Sequence, residues 1–178
     1  MNVVRWPTAL LLGLVLGGAG CPESIRRPPI QNPGATNREI LRLYESYRDD
    51  FPEVRGVTPE DLIKLRAQED VLLVDVREAS ERAVSVIPGA ITREQFESEK
   101  SSIGDRPIVA YCTIGYRSGE YVEKLNKEGI PALNLEGSIL AWVNAGQPIV
   151  DSHGAATKRV HTYGAQWSLL PEGYEAVY

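Results

Sequence analysis

Cysteine and histidine are scarce in this chain of 178 residues, with two of each: Cys21 and Cys112, His153 and His161. Two cysteines exclude a multi-bridge disulfide scaffold and a cysteine-rich zinc site. The histidines stand eight positions apart, a spacing that suits no common local metal motif, so neither a metal nor a cofactor is expected. Basic residues are outnumbered, 19 Lys and Arg against 24 Asp and Glu, for a net charge of -5. They form no cluster able to neutralise phosphates, which argues against nucleic acid as a partner. The chain also lacks an apolar run long enough to span a bilayer. The stretch Ala9 to Cys21 has 13 residues, where about 20 are needed. What it does have is 43% hydrophobic residues, enough for one compact domain with attachments at either end.

The N-terminal region has three parts: Met1 to Thr8 with the single charge of Arg5, an apolar block Ala9 to Leu16, and the small residues Gly17 to Gly20. These are the parts of a secretory signal. Gly18-Ala19-Gly20-Cys21 resembles a bacterial lipobox, in which a protease cuts before a cysteine that receives lipid. That resemblance makes residues 1–20 a signal peptide and Cys21 the lipidation site. It implies an exported protein, lipid-anchored in the bacterial cell envelope and facing the periplasm. The lipobox usually carries Leu where this chain has Gly18, and ordinary signal cleavage is the alternative. Residues 21–35, rich in proline and poor in apolar side chains, read as a tether.

The remaining chain alternates helical and strand patterns. Thr36-Asn37-Arg38-Glu39 is a capping-box pattern that predicts a helix from Asn37 to Arg48. Residues 36–55 are thus a helical extension. Thr58-Pro59 starts a second helix. Val71 to Val76, Ile108 to Tyr111 and Ala132 to Leu135 read as strands buried on both faces. Thr92 to Gln95 is another capping box, Ser118 to Glu128 a helix, and Ile139 to Ala145 a helix stopped by Gly146. The expected class is α/β, with a central, mainly parallel sheet and helices on both faces over residues 56–150. Residues 151–178 form a C-terminal extension. Its rings, including His161, Tyr163, Trp167 and Tyr174, are too many for disorder and predict packing over the domain, with a partner-binding surface as the alternative.

Cys112 directly follows a predicted buried strand, at the carboxyl end where such sheets bind ligands. The loop Thr113-Ile114-Gly115-Tyr116-Arg117 leads to a helix predicted to begin near Ser118. A short loop around a sulfur can aim backbone N–H groups at it, and the helix adds its positive end. Gly115 relaxes the loop and Arg117 adds a positive charge. Each favours thiolate over thiol, so Cys112 reads as a reactive nucleophile rather than an inert core residue.

Four ordered segments then resemble the rhodanese-like family. They are Val71 to Glu78, Ile87-Pro88-Gly89-Ala90-Ile91, Tyr111 to Ser118, and Leu133 to Ser138 followed by Trp142, Gly146 and Pro148. The resemblance implies a sulfurtransferase of thiosulfate type, in which Cys112 accepts a sulfane sulfur from a small donor, holds it as a persulfide and passes it to a thiophilic acceptor. It further implies that the loop amides of Thr113, Ile114, Gly115, Tyr116 and Ser118, with Arg117, stabilise the anions, and that Asp75 and Arg77 tie the loop down. A purely structural ion pair is the alternative for the last two. The six-residue ring from Cys112 to Arg117 is one shorter than in the phosphatase relatives of the fold, which favours sulfur over phosphate. The family often has Gly-Gly before its last helix. Here Gly137-Ser138 stands there, a departure expected not to touch the sulfur chemistry directly. A non-catalytic membrane-tethered binding module and a thiol-redox protein are the other functional classes.

Overall fold

The computed structural model describes residues 33–178. The expected signal peptide, Cys21 and the tether up to residue 32 lie outside the described residues. The first helix, α1 (Pro33–Arg48), starts earlier than the capping box predicts. Thr36 therefore lies inside the helix rather than at its N-cap. Proline suits a first helical position because its φ is already set and its missing N–H needs no partner. Ile40 and Tyr44, one turn apart, form the buried stripe of α1.

The chain continues through β1 (Gly56–Val57), α2 (Pro59–Gln68), β2 (Leu72–Asp75) and α3 (Ala79–Val84). Thr58 caps α2 by accepting from the Asp61 N–H at 3.1 Å. Next come β3 (Ile91–Thr92) and α4 (Arg93–Glu99). The Thr92 capping box forms as predicted: the Gln95 N–H donates to Thr92 Oγ1 at 3.1 Å, and the Thr92 N–H to Gln95 Oε1 at 2.8 Å. β4 (Ile108–Tyr111), α5 (Tyr116–Lys127), β5 (Leu133–Leu135) and α6 (Ser138–Asn144) complete the α/β part.

All five of these strands pair in parallel, in the order β1-β5-β4-β2-β3. Side chains alternate across β4. Val109 and Tyr111 enter one core with Ile40, Leu62 and Ile139, while Ile108 and Ala110 enter the other with Phe96, Val122 and Leu125. Both faces are thus covered by helices, which is why the central strands β2 and β4 are mostly apolar. The order reverses between β2 and β4, the place where open parallel sheets bind ligands. Cys112 is the first residue after β4 there.

The C-terminal extension forms β6 (Arg159–His161) and β7 (Glu175–Val177), a separate parallel pair, with a short 3-10 turn at Ala165–Trp167 between them. Val160 and Leu169 are buried in the core that holds Trp142. Apolar anchors, rather than pairing to the main sheet, therefore hold the extension on the domain. No helix among the described residues is long and apolar enough to cross a membrane.

Candidate active site

Gly115 takes φ 116°, a left-handed conformation, and acts as the N-cap of α5. This turns the chain sharply and starts the helix at Tyr116. Tyr116 and Arg117 therefore lie in its first turn, not in the loop, which corrects the predicted start near Ser118. A side chain at Gly115 would also collide with the Tyr44 ring, whose Cδ2 would stand 2.5 Å from an added Cβ. The loop is thus the four residues Cys112 to Gly115, folded back on its own sulfur.

Cys112 is 1% exposed. Its Sγ accepts from the Gly115 N–H at 3.1 Å and from the Ser118 hydroxyl at 3.5 Å. Ser138 Oγ stands 3.9 Å from the same sulfur and accepts from the Cys112 N–H at 3.0 Å. The departure at Gly137-Ser138 therefore does touch the sulfur, contrary to expectation. The loop's carbonyls are held too. The Ile139 and Leu140 amides, in the first turn of α6, reach the Cys112 and Thr113 carbonyls, each at 3.3 Å. Asn134 Nδ2 donates to the Gly115 carbonyl at 2.8 Å.

Arg117 sits at the loop but is committed to Glu81 of α3. Its Nη1 and Nη2 donate to the two carboxylate oxygens at 2.6 and 2.8 Å, and Nη2 also reaches Thr113 Oγ1 at 3.0 Å. Thr113 Oγ1 donates to Glu81 at 3.1 Å. Burial alone would raise the Glu81 carboxyl. The hydrogen bonds from Arg117 and the Glu78 backbone, with the charges of Arg117 and Arg77, overcome it and hold the carboxyl at about 2. Burial likewise opposes the Arg117 charge, but the Glu81 hydrogen bonds and the nearby Cys112 raise its pKa above the ordinary value. Nothing in the local sequence marked Glu81, since its partners stand 32 and 36 residues away.

Asp75 and Arg77 are fully buried and paired, Arg77 Nε and Nη2 donating to the carboxylate at 2.9 and 2.7 Å. Arg77 also donates to the Ser85 carbonyl at 2.7 Å, and the Tyr111 hydroxyl to Asp75 at 2.6 Å. The Ile87 N–H closes the cluster on the Tyr111 oxygen at 3.1 Å. The pair thus fastens the strand end at Tyr111 to the Ser85–Ile87 turn. It does not bond the Cys112 loop, which Glu81 ties down instead.

Above Cys112 lies a cavity of about 440 Å³, floored by Cys112, Thr113, Ile114 and Arg117. Its walls are the rings of Tyr47, Tyr116, Tyr163 and Trp167. Tyr47 meets Tyr116 edge to face at 5.4 Å between centroids and Trp167 at 6.3 Å. The Tyr163 ring covers the Arg117 guanidinium at 5.2 Å. Among the described residues no group of acidic, histidine or cysteine side chains is arranged to hold a metal.

The profile of the rhodanese-like domain matches residues 58–145. A sulfurtransferase of Allochromatium vinosum is 40% identical over 95 residues, which are 51% of this chain and 89% of that protein. YtwF of Bacillus subtilis, provisionally named a sulfurtransferase, is 32% identical over 88 residues, 48% of this chain and 85% of its own length. The crystal structure of a thiosulfate sulfurtransferase from Pseudomonas aeruginosa superposes with a TM-score of 0.54 at 18% identity, over 67% of this chain and 24% of that longer one. At that identity it speaks for the fold alone. A likeness of 40% carried across nearly the whole of a relative is more than a shared motif, and the chain belongs to the rhodanese-like domain family.

Proposed function

We propose that this protein is a sulfurtransferase that carries sulfane sulfur as a persulfide on Cys112. The observation that carries this reading is the convergence of the Gly115 amide with the Ser118 and Ser138 hydroxyls on one buried sulfur. Such donors stabilise an anionic sulfur without a histidine base. The thiolate attacks the outer sulfur of a donor. The donor's S–S bond breaks, its electron pair leaves with the rest of the donor, and Cys112 becomes a persulfide anion. A thiophilic nucleophile then attacks the outer sulfur and releases the thiolate. No oxidant or reductant is consumed.

The test is incubation with a sulfane-sulfur donor, followed by mass measurement and cyanide treatment. The expected result is a gain of one sulfur atom, released as thiocyanate, in the native protein and not in Cys112→Ser. A persulfide that persists on the Cys112→Ser protein would overturn the assignment. A native protein that folds, reacts with no donor and keeps a free thiol would favour a binding module. The lipobox-like Gly18 to Cys21 and the tether behind it support anchoring in the cell envelope. Expression with labelled fatty acid, beside a Cys21→Ser control, tests that part; label on both proteins or on neither overturns it.

A further inference from the structure

We infer that the cavity over Cys112 selects its donor, and that the donor is an organic sulfane-sulfur compound with an aromatic or alkyl body rather than inorganic thiosulfate. The inference rests on the sulfur-transfer reading above and names the substrate class of the same site.

Size is the first observation. A cavity of about 440 Å³ falls in the range of sites that enclose whole organic ligands, roughly 300–1,000 Å³. The inorganic donor is a few atoms across and would leave most of it unfilled. The lining is the second. Of the four rings, Tyr47 belongs to α1 and Tyr163 and Trp167 to the C-terminal extension, all outside the family match of residues 58–145. The segments outside the family match thus wall the space above the cysteine with aromatic faces, which pack against rings and alkyl groups.

Charge is the third observation. Arg117 is the cation lining the cavity, and it is spoken for. Glu81 takes both of its terminal nitrogens, and the Tyr163 ring lies over its face. Glu81 and Arg117 sum to zero, so the cavity offers a donor no unpaired positive charge from Arg117. A dianionic donor is repelled by the thiolate there more strongly than a monoanion. Fourth, Tyr163 is held at φ 65°, a costly backbone conformation for a residue with a side chain, yet the residue is 64% exposed. Its N–H donates to His161 Nδ1 at 3.2 Å, and the Thr162 N–H donates to the Val177 carbonyl at 2.8 Å, fixing the turn. Strain kept at an open aromatic wall is the mark of a functional clamp.

Three donors with the same sulfur chemistry separate these effects: thiosulfate, methanethiosulfonate and benzenethiosulfonate. In each, the Cys112 thiolate attacks the terminal sulfur and the S–S bond breaks. Sulfite, methanesulfinate or benzenesulfinate leaves with the bonding pair. For the native protein we expect kcat/KM to rise in that order, with benzenethiosulfonate about tenfold above methanethiosulfonate. In Tyr163→Ala and Trp167→Ala the ratio of the two organic donors should fall toward that of a small thiol in solution. Binding of benzenesulfinate to Cys112→Ser, followed by ligand-observed NMR, gives a readout independent of turnover. Thiosulfate used as well as either thiosulfonate, or an arene preference unchanged in both variants, overturns the donor inference alone. Loading by none of the three overturns the sulfur-transfer reading, and the donor inference with it.

Discussion

Ser138 and Tyr163 are the two non-glycine residues with positive φ among the described residues, and both border the Cys112 site. At φ 50° the Ser138 side chain costs roughly 1–2 kcal/mol relative to ordinary backbone. In return its oxygen satisfies the buried Cys112 N–H at 3.0 Å and approaches the sulfur. Two substitutions separate these terms. Ser138→Gly removes the strain and the hydroxyl together. Ser138→Ala removes the hydroxyl but keeps the strain; both variants leave the Cys112 N–H unpaired, at about 1–3 kcal/mol, so the strain alone separates them. We therefore expect the alanine variant to be the less stable of the two by urea denaturation, the reverse of the usual order in a helix. Both should slow alkylation of Cys112 by iodoacetamide at neutral pH by about threefold or more, as a donor to the thiolate is lost. Equal alkylation rates in native and variant proteins would show that the hydroxyl serves the backbone alone. Cys112 itself was legible because strand, cysteine, loop and helix are contiguous in the chain. Ser138 stands 26 positions further on, and only its departure from Gly-Gly drew notice to the position.

Among the α-helices, α3 was the one left unread, and it supplies the loop's main electrostatic tie. Its six residues are too few to show a helical period, and Glu81 looks like an ordinary surface acid until the fold brings Arg117 to it. The longer elements were legible for the opposite reason. Thr58 and Thr92 carry their capping partners within three residues, and the strands are buried on both faces. The early start of α1 and α5 follows from Pro33 and Gly115, whose backbone preferences set helix ends more strongly than the apolar pattern does. The Glu81 tie has a pH signature. Its carboxyl is held at about 2, below the ordinary 4.5, so its contribution is complete above about pH 4.5 and disappears as pH falls through about 2. The shift corresponds to about 3 kcal/mol. Glu81→Gln should be destabilised by up to that amount at pH 7, and the gap to the native protein should narrow at pH 3. Unfolding by urea at the two pH values measures it. A gap of equal size at both would mean that the pair contributes by geometry and not by charge.

At the scale of the whole molecule, a family-type α/β frame is enclosed by two segments that share neither its sheet nor its sequence pattern. The frame positions the sulfur, whereas α1 and the C-terminal extension close the space above it. The ring content of the tail predicted that it packs, but not which face it covers. That depends on where Val160 and Leu169 find apolar partners, and those partners come from several distant parts of the chain. Both residues are buried against the core that contains Trp142 and Leu140. Burying an aliphatic side chain is worth about 1.5–3 kcal/mol, so a chain ending at Val150 should lose at least about 3 kcal/mol of stability. It should also lose the Tyr163 and Trp167 walls. Val160→Ala separates the two consequences. It removes buried methyl groups at about 1–3 kcal/mol but leaves both rings in the chain. The truncated protein should therefore lose both stability and discrimination between benzenethiosulfonate and methanethiosulfonate, whereas Val160→Ala should lose stability and keep the discrimination. Denaturant midpoints and the ratio of kcat/KM values measure these separately. A truncated chain as stable as the native one would mean that the extension only borders the core. Discrimination that survived the truncation would overturn the donor inference, because the chain would then select without the Tyr163 and Trp167 walls.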